Sequence, residues 1–142
     1  MSKVPLVTRK NIKDAEATNA EYLAKINKTL GTEWTLDVDY AGLYAEIATA
    51  KPDYAETVGD VTTWYFERLA DNLESFVNKD DMYKEALVEE VSANKIKAFE
   101  IVDEDSFYNK VAIKDGALVL IVPRNNIATN VDNIAQDLES IL

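Results

Sequence analysis

This chain contains no Cys and no His. Any acid–base or metal chemistry therefore falls to its carboxylates, hydroxyls and amines. Two carboxylates can hydrolyse a bond as acid and base when an apolar pocket raises the pKa of one of them. Glu100 is the carboxylate best placed for this, between Ala98 and Val102 in an apolar stretch. Its plainer reading is a cross-strand pair with Lys110 or Lys114. Asp37-Val38-Asp39-Tyr40-Ala41-Gly42 resembles the start of a calcium loop at positions one, three and six. Position five is Ala41 and position twelve is Ala48, so the remaining carboxylates of such a loop are missing. Asp103-Glu104-Asp105 before Ser106 could lend oxygens to a hard cation, although a solvated turn explains the run equally simply. Asp80-Asp81 suits a helix start. The four glycines, Gly31, Gly42, Gly59 and Gly116, lie too far apart for a phosphate-binding loop. A Gly-x-Ser-x-Gly elbow is also absent. On these grounds no catalytic residue, metal ligand or cofactor is assigned, and the chain is read as a non-enzyme.

Aromatic residues offer a different chemistry. Tyr40, Tyr44, Tyr54, Trp64, Tyr65 and Phe66 crowd the middle of the chain. They are read either as core or as the lining of a small-molecule pocket near Trp64.

Charge points outward. The chain has 142 residues, 15 Lys and Arg, 26 Asp and Glu, and a net charge of −11. That balance argues against nucleic acid, whose phosphates call for cations. The distribution is uneven: residues 1–28 hold six Lys/Arg against three Asp/Glu, and the remainder holds nine against twenty-three. A basic first helix matched to an acidic body accounts for this within one molecule. An acidic surface that steers a basic protein partner accounts for it between two. Glu67, Asp71 and Glu74, on the polar side of one helix, are the candidate acidic contacts.

Periodicity supplies the elements that hold these groups. A helix is expected over 9–30, closed by Gly31. Trp34, Leu36, Val38 and Tyr40 alternate with Glu33, Thr35, Asp37 and Asp39, which predicts a strand over 32–40. A helix over 41–50 stops before Pro52. Thr57-Val58-Gly59-Asp60 reads as a capping box for a helix reaching Asn78. Asp80 caps the next helix, which ends near Asn94. Strands follow over 95–102, 108–114 and 117–122. Asp115-Gly116 between the last two predicts a type I′ hairpin with Val111 facing Leu120 and Ile113 facing Leu118. Pro123 ends the final strand. Thr129-Asn130-Val131-Asp132 reads as a second capping box, opening an amphipathic terminal helix through Val131, Ile134, Leu138 and Ile141.

The order α-β-α-α-α-β-β-β-α predicts a single α+β domain over 1–142, with a small antiparallel sheet of about four strands covered by helices. Its inner face takes Trp34, Leu36, Val38, Phe99, Ile101, Val111, Ile113, Leu118, Leu120 and Val122. The outer face takes Ile96, Ala98, Glu100 and Val102, then Lys110, Ala112 and Lys114, with Val119 and Ile121 at its apolar middle. Either the terminal helix or a partner covers that middle. The opening residues Met1–Val7 form too short an apolar run for a leader, and no stretch is apolar enough to span a membrane. The protein is therefore expected in the cytoplasm. The function read from the sequence is a non-catalytic acidic interaction domain. It binds a protein, basic in character, or itself, with Glu67, Asp71, Glu74, Val119 and Ile121 as contacts. The alternative is a domain binding a small molecule or divalent metal, with carboxylate catalysis as an extension.

Overall fold

A computed structural model describes residues 4–142. The expectation for the first three residues lies outside that range. The elements run α1 (Leu6–Leu30), β1 (Thr35–Val38), α2 (Tyr40–Ala50), α3 (Val58–Val77), α4 (Asp81–Glu90), β2 (Lys95–Val102), β3 (Lys110–Lys114), β4 (Ala117–Pro123) and α5 (Leu138–Ile141). Short 3-10 turns occupy Pro52–Thr57, Arg124–Asn126 and Val131–Asn133. The class is α+β, as the element order implies.

Direction of pairing differs from the expectation. The sheet order is β1-β2-β4-β3, and only the β3–β4 pair is antiparallel. β1 runs parallel to β2, and β2 parallel to β4, so the sheet is mixed. Alternation of apolar residues has the same period in either direction, so it carries no sign of this. Connections do: α2, α3 and α4 lie between β1 and β2, a crossover long enough to return the chain the same way. β4 enters between β2 and β3 and becomes the central strand, buried along its whole length. The hairpin register is as expected, with Val111 opposite Leu120 and Ile113 opposite Leu118. Asp115 and Gly116 both have positive φ, at 52° and 78°, as a type I′ turn demands.

Register slips within β2. Ile96 pairs with Leu118 and Ala98 with Leu120, after which the pairing shifts so that Glu100 meets Ile121. This bulge lets Ala98 and Phe99 both serve the inner side. Ile96 and Ala98, expected outside, are core residues, whereas Glu100 and Val102 keep the outer face. The Phe99 ring centroid lies 4.9 Å from that of Tyr65 and 5.8 Å from that of Phe66, tying the sheet to α3.

Two expected capping boxes are replaced by other devices. Thr57 makes no side-chain cap. The Asp60 N–H instead donates to Asn11 Oδ1 of α1 at 3.1 Å, so α3 is capped from a neighbouring helix. Thr129–Asp132 opens no long helix either. Asn130 adopts a left-handed φ of 53° and its side chain donates to the Phe107 carbonyl and to Asn126 Oδ1. With that carboxamide engaged, only a 3-10 turn and the short α5 follow. The caps at Gly31, whose N–H donates to the Asn27 carbonyl, and at Asp80, which accepts from the Met82 N–H, form as expected.

α1 and α3 pack most closely at Gly59. A Cβ added there would lie 2.6 Å from the Asn11 carbonyl oxygen and 2.8 Å from Ala15 Cβ. Three carboxamides of α1 reach across to the rest of the fold. Asn11 caps α3, Asn19 donates to the Thr62 hydroxyl and to the Tyr40 phenol oxygen, and Asn27 pairs with the Trp34 backbone.

In an open helix Gly→Ala stabilises by about 0.5–1 kcal/mol. At Gly59 the sign is expected to reverse, with a loss of about 1–3 kcal/mol from overpacking, read as a lower urea midpoint. Burial pushes the Tyr65 phenol well above its ordinary 10.0. Its neutral form stabilises the fold fully below pH 10, and that contribution is lost as pH rises through the folded value. A stability profile against pH is expected to bend downward above pH 10.0, the ordinary phenol value. Tyr65→Phe should reduce the bend while losing about 1–3 kcal/mol at neutral pH, because the Ala128 N–H that donates to the phenol is left unpaired.

Candidate functional site

Two surfaces of the sheet stand out, its outer face and its β1 edge. On the outer face Ala117, Val119 and Ile121 of β4 form a second apolar cluster, separate from the main core and flanked by Val102 and Ala112. Ile134, Ala135 and Leu138 of the C-terminal segment belong to the main core, so the terminal helix does not lie over this cluster. Stems of side chains on the neighbouring strands enclose it instead. Val119 and Ile121 are only 4% and 5% exposed.

Charged groups frame the ridge. Lys95 and Lys97 come from β2 and Lys110 and Lys114 from β3, against Asp37 of β1 and Glu100 of β2. Lys114 Nζ lies 2.7 Å from Glu100 Oε2, the cross-strand pair that leaves Glu100 outside any apolar pocket. Lys110 pairs with Glu104 at 3.5 Å. Lys110 and Lys114 are thus each in an ion pair, while Lys95 and Lys97 are in none among the described residues. A cleft of about 480 Å³ opens on it, lined by Asp37, Lys95, Lys97, Glu100 and Val119 among others.

The acidic stripe of α3 is matched inside the molecule. Glu67 accepts from the Tyr22 hydroxyl at 3.2 Å. Lys25 Nζ lies 3.3 Å from Asp71 and 3.8 Å from Glu74. Arg68 reaches Asp132 at 3.0 Å. α1 therefore engages all three carboxylates singled out from the sequence, with one cation shared by Asp71 and Glu74 and a neutral hydroxyl on Glu67. Burial, then the Glu67 carboxylate beside it, raises the Tyr22 pKa.

The remaining candidates separate. Asp39 caps α2 by accepting from the Gly42 N–H at 2.9 Å, and Asp37 stands on the outer face. Asp103 pairs with Arg124, Glu104 with Lys110, and Asp105 accepts from Asn125 at 3.1 Å. Each acid of that run thus has its own partner. Among the described residues no group of three or more such side chains gathers as a metal centre would require. Trp64 lies 38% exposed, edge-on to Tyr54 at 5.9 Å, on the surface rather than around a pocket. Tyr108, expected at the start of a strand, sits with Phe107 on an exposed loop. Among the described residues no helix is long and apolar enough to cross a membrane.

A second cleft, of about 360 Å³, lies between α1 and β1. Glu16, Asn19 and Leu23 line one side, and Trp34, Leu36 and Tyr40 are among those on the other. Asn19 Oδ1 and Trp34 Nε1 are buried without a hydrogen-bond partner. Burial raises the Tyr40 phenol and the Glu16 carboxylate adds to this, while the bond from Asn19 works against it. Sequence reasoning passed over this cleft. The available signal was Asn19, a carboxamide on the apolar stripe between Ala15 and Leu23.

Replacing Lys25 with Glu sets a like charge beside Asp71 and Glu74. Because the groups are about half exposed, a loss of about 1 kcal/mol or less is expected at low ionic strength. Urea titrations in rising salt should show that loss shrinking.

Compared with protein-family models, with curated proteins and with solved structures, the chain matches none of them.

Proposed function

We infer that this is a non-catalytic interaction domain that binds another polypeptide through the outer face of its sheet. The observation that carries the reading is the apolar ridge of Ala117, Val119 and Ile121, over which no helix of the chain is packed. Exposed apolar patches rimmed by polar groups often mark contact surfaces, and this strip, only 4–6% exposed, is uncovered for a partner when the charged side chains around it swing aside. Lys95 and Lys97, which are in no ion pair among the described residues, suit carboxylates on that partner, while Lys110 and Lys114 already pair with Glu104 and Glu100. The α3 acids have a lesser part in this reading, since Lys25 and Tyr22 already occupy them.

Size bears on the alternative of self-association. Strands of four, eight, five and seven residues, spaced about 4.8 Å apart with a rise of about 3.3 Å per residue, offer roughly 380 Å². A stable interface takes about 800 Å² from each side. The face alone falls short of what a stable homodimer uses, so a partner that also embraces the lysine rim or an adjoining edge fits better.

The test compares wild type with Val119→Lys as bait in an extract of the source cells, read by native mass spectrometry at low and moderate salt. A stoichiometric complex is expected with wild type, weakening with salt. It should be absent for a Val119→Lys protein that keeps its circular dichroism spectrum and remains a monomer. A variant that unfolds assigns Val119 to the core and removes the reading, as does a complex that survives the substitution.

A further inference from the structure

The free edge of β1 supports an inference that goes beyond the outer-face reading and stands on different residues. The Thr35 N–H donates to the Asn94 carbonyl at 2.9 Å, and the Asp39 N–H to the Ala98 carbonyl at 3.3 Å. Residues 35, 37 and 39 therefore turn their backbone groups toward β2. In a parallel ladder the intervening residues face the opposite side. Trp34, Leu36 and Val38 accordingly present their N–H and C=O groups at the edge.

The first of these rungs is filled from within the chain. The Trp34 N–H donates to Asn27 Oδ1 at 2.8 Å, and Asn27 Nδ2 donates to the Trp34 carbonyl at 3.1 Å. The carboxamide of Asn27 thus occupies the place of a neighbouring peptide unit. Leu36 and Val38, the next two rungs, have no such group beside them among the described residues. Alongside them lies the α1–β1 cleft of about 360 Å³. Asn19 and Trp34 are among its lining residues, and each has a buried polar atom beneath the surface without a hydrogen-bond partner, the acceptor Asn19 Oδ1 and the donor Trp34 Nε1. Open backbone rungs beside a cleft with one spare acceptor and one spare donor beneath it match a single ligand class, an extended polypeptide. Its main chain would take the rungs and a side chain bearing a polar group would enter the cleft.

Charge decides whether that polypeptide is a second copy. Pairing two β1 strands antiparallel about Leu36 sets Glu33 opposite Asp39, and pairing them about Asp37 sets Asp37 opposite itself. Both registers oppose like charges, which is unfavourable. A segment with Lys or Arg at alternate positions, all on one of its faces, meets Glu33 and Asp37 on the outer side instead, next to Lys97 of β2, and leaves its other face for the cleft.

We propose that β1 accepts a basic, extended segment of a partner protein as a fifth strand, docked along Leu36 and Val38 with alternate side chains in the α1–β1 cleft. The probes are an array of peptides of about six residues, the usual strand length, with Lys alternating with varied residues, and matched peptides with Glu in place of Lys. Fluorescence anisotropy is expected to find Lys peptides binding at least about tenfold tighter than their Glu counterparts. The tightest should protect the Leu36 and Val38 amides from hydrogen exchange. Methylating a backbone nitrogen of that peptide should weaken it by about tenfold or more. Val38→Pro removes an edge N–H that β2 does not use, and is expected to weaken binding while the melting temperature stays close to wild type. Val119→Lys should bind the peptide as wild type does, so failure of the outer-face reading leaves this result intact. The inference is overturned if no peptide binds below about 1 mM, if Glu peptides bind equally, or if binding leaves the two amides unprotected. Loss of binding in a Val119→Lys protein that keeps its circular dichroism spectrum overturns it as well, as does protection of those amides by concentration-dependent dimerisation alone.

Discussion

Three carboxamides spaced eight residues apart along α1 hold the helical layer to everything else. Asn11 caps α3, Asn19 joins Thr62 to Tyr40, and Asn27 completes the backbone of Trp34. Apolar burial drives the layers together but does not fix their relative position, because it has no direction. A buried carboxamide does, since it stabilises only when its donors and acceptors find partners at one geometry. The contact at Gly59 belongs to the same arrangement: α3 approaches α1 closely enough for Asn11 to reach the Asp60 N–H. The ion pairs of Lys25 along the same interface are about half exposed and add little beyond matching charge.

Local chemistry was readable from the sequence wherever the device lay within one short segment. The Asp115-Gly116 turn fixed its own register, Gly31 and Asp80 capped their own helices, and apolar stripes placed α1 to α4 within a few residues. What could not be read were the relations between distant segments. The direction of β1 and β2 depends on a crossover, not on their alternation. The slip at Phe99 answers to Tyr65 and Phe66 on another element. Thr57 looked like a cap because nothing local revealed that Asn11 does its work. Similarly, Asn130 looked like part of a helix start until Phe107 and Asn126 claimed its side chain.

Legibility of the site followed the same division. The apolar centre at Val119 and Ile121 was visible from alternation alone, but not which element failed to cover it. The acids of α3 were visible as a stripe, but their engagement by Lys25 and Tyr22 was not. Asn19 and Trp34 were each ordinary in their own segment. Only the meeting of α1 with β1 makes an unpaired acceptor and an unpaired donor neighbours of one cleft.

The long path between β1 and β2 also sets the order in which the sheet is assembled. β3 and β4 are joined by a two-residue turn, so their contacts close a small loop and form at little entropic expense. β1 must wait for α2, α3 and α4 to be placed before β2 comes within reach. Its pairing is the most distant in sequence and closes the largest loop, so it is the slowest to arrive during folding. Among the pairings of this sheet, β1 with β2 therefore carries the greatest loop-closure entropy and the β3–β4 hairpin the least.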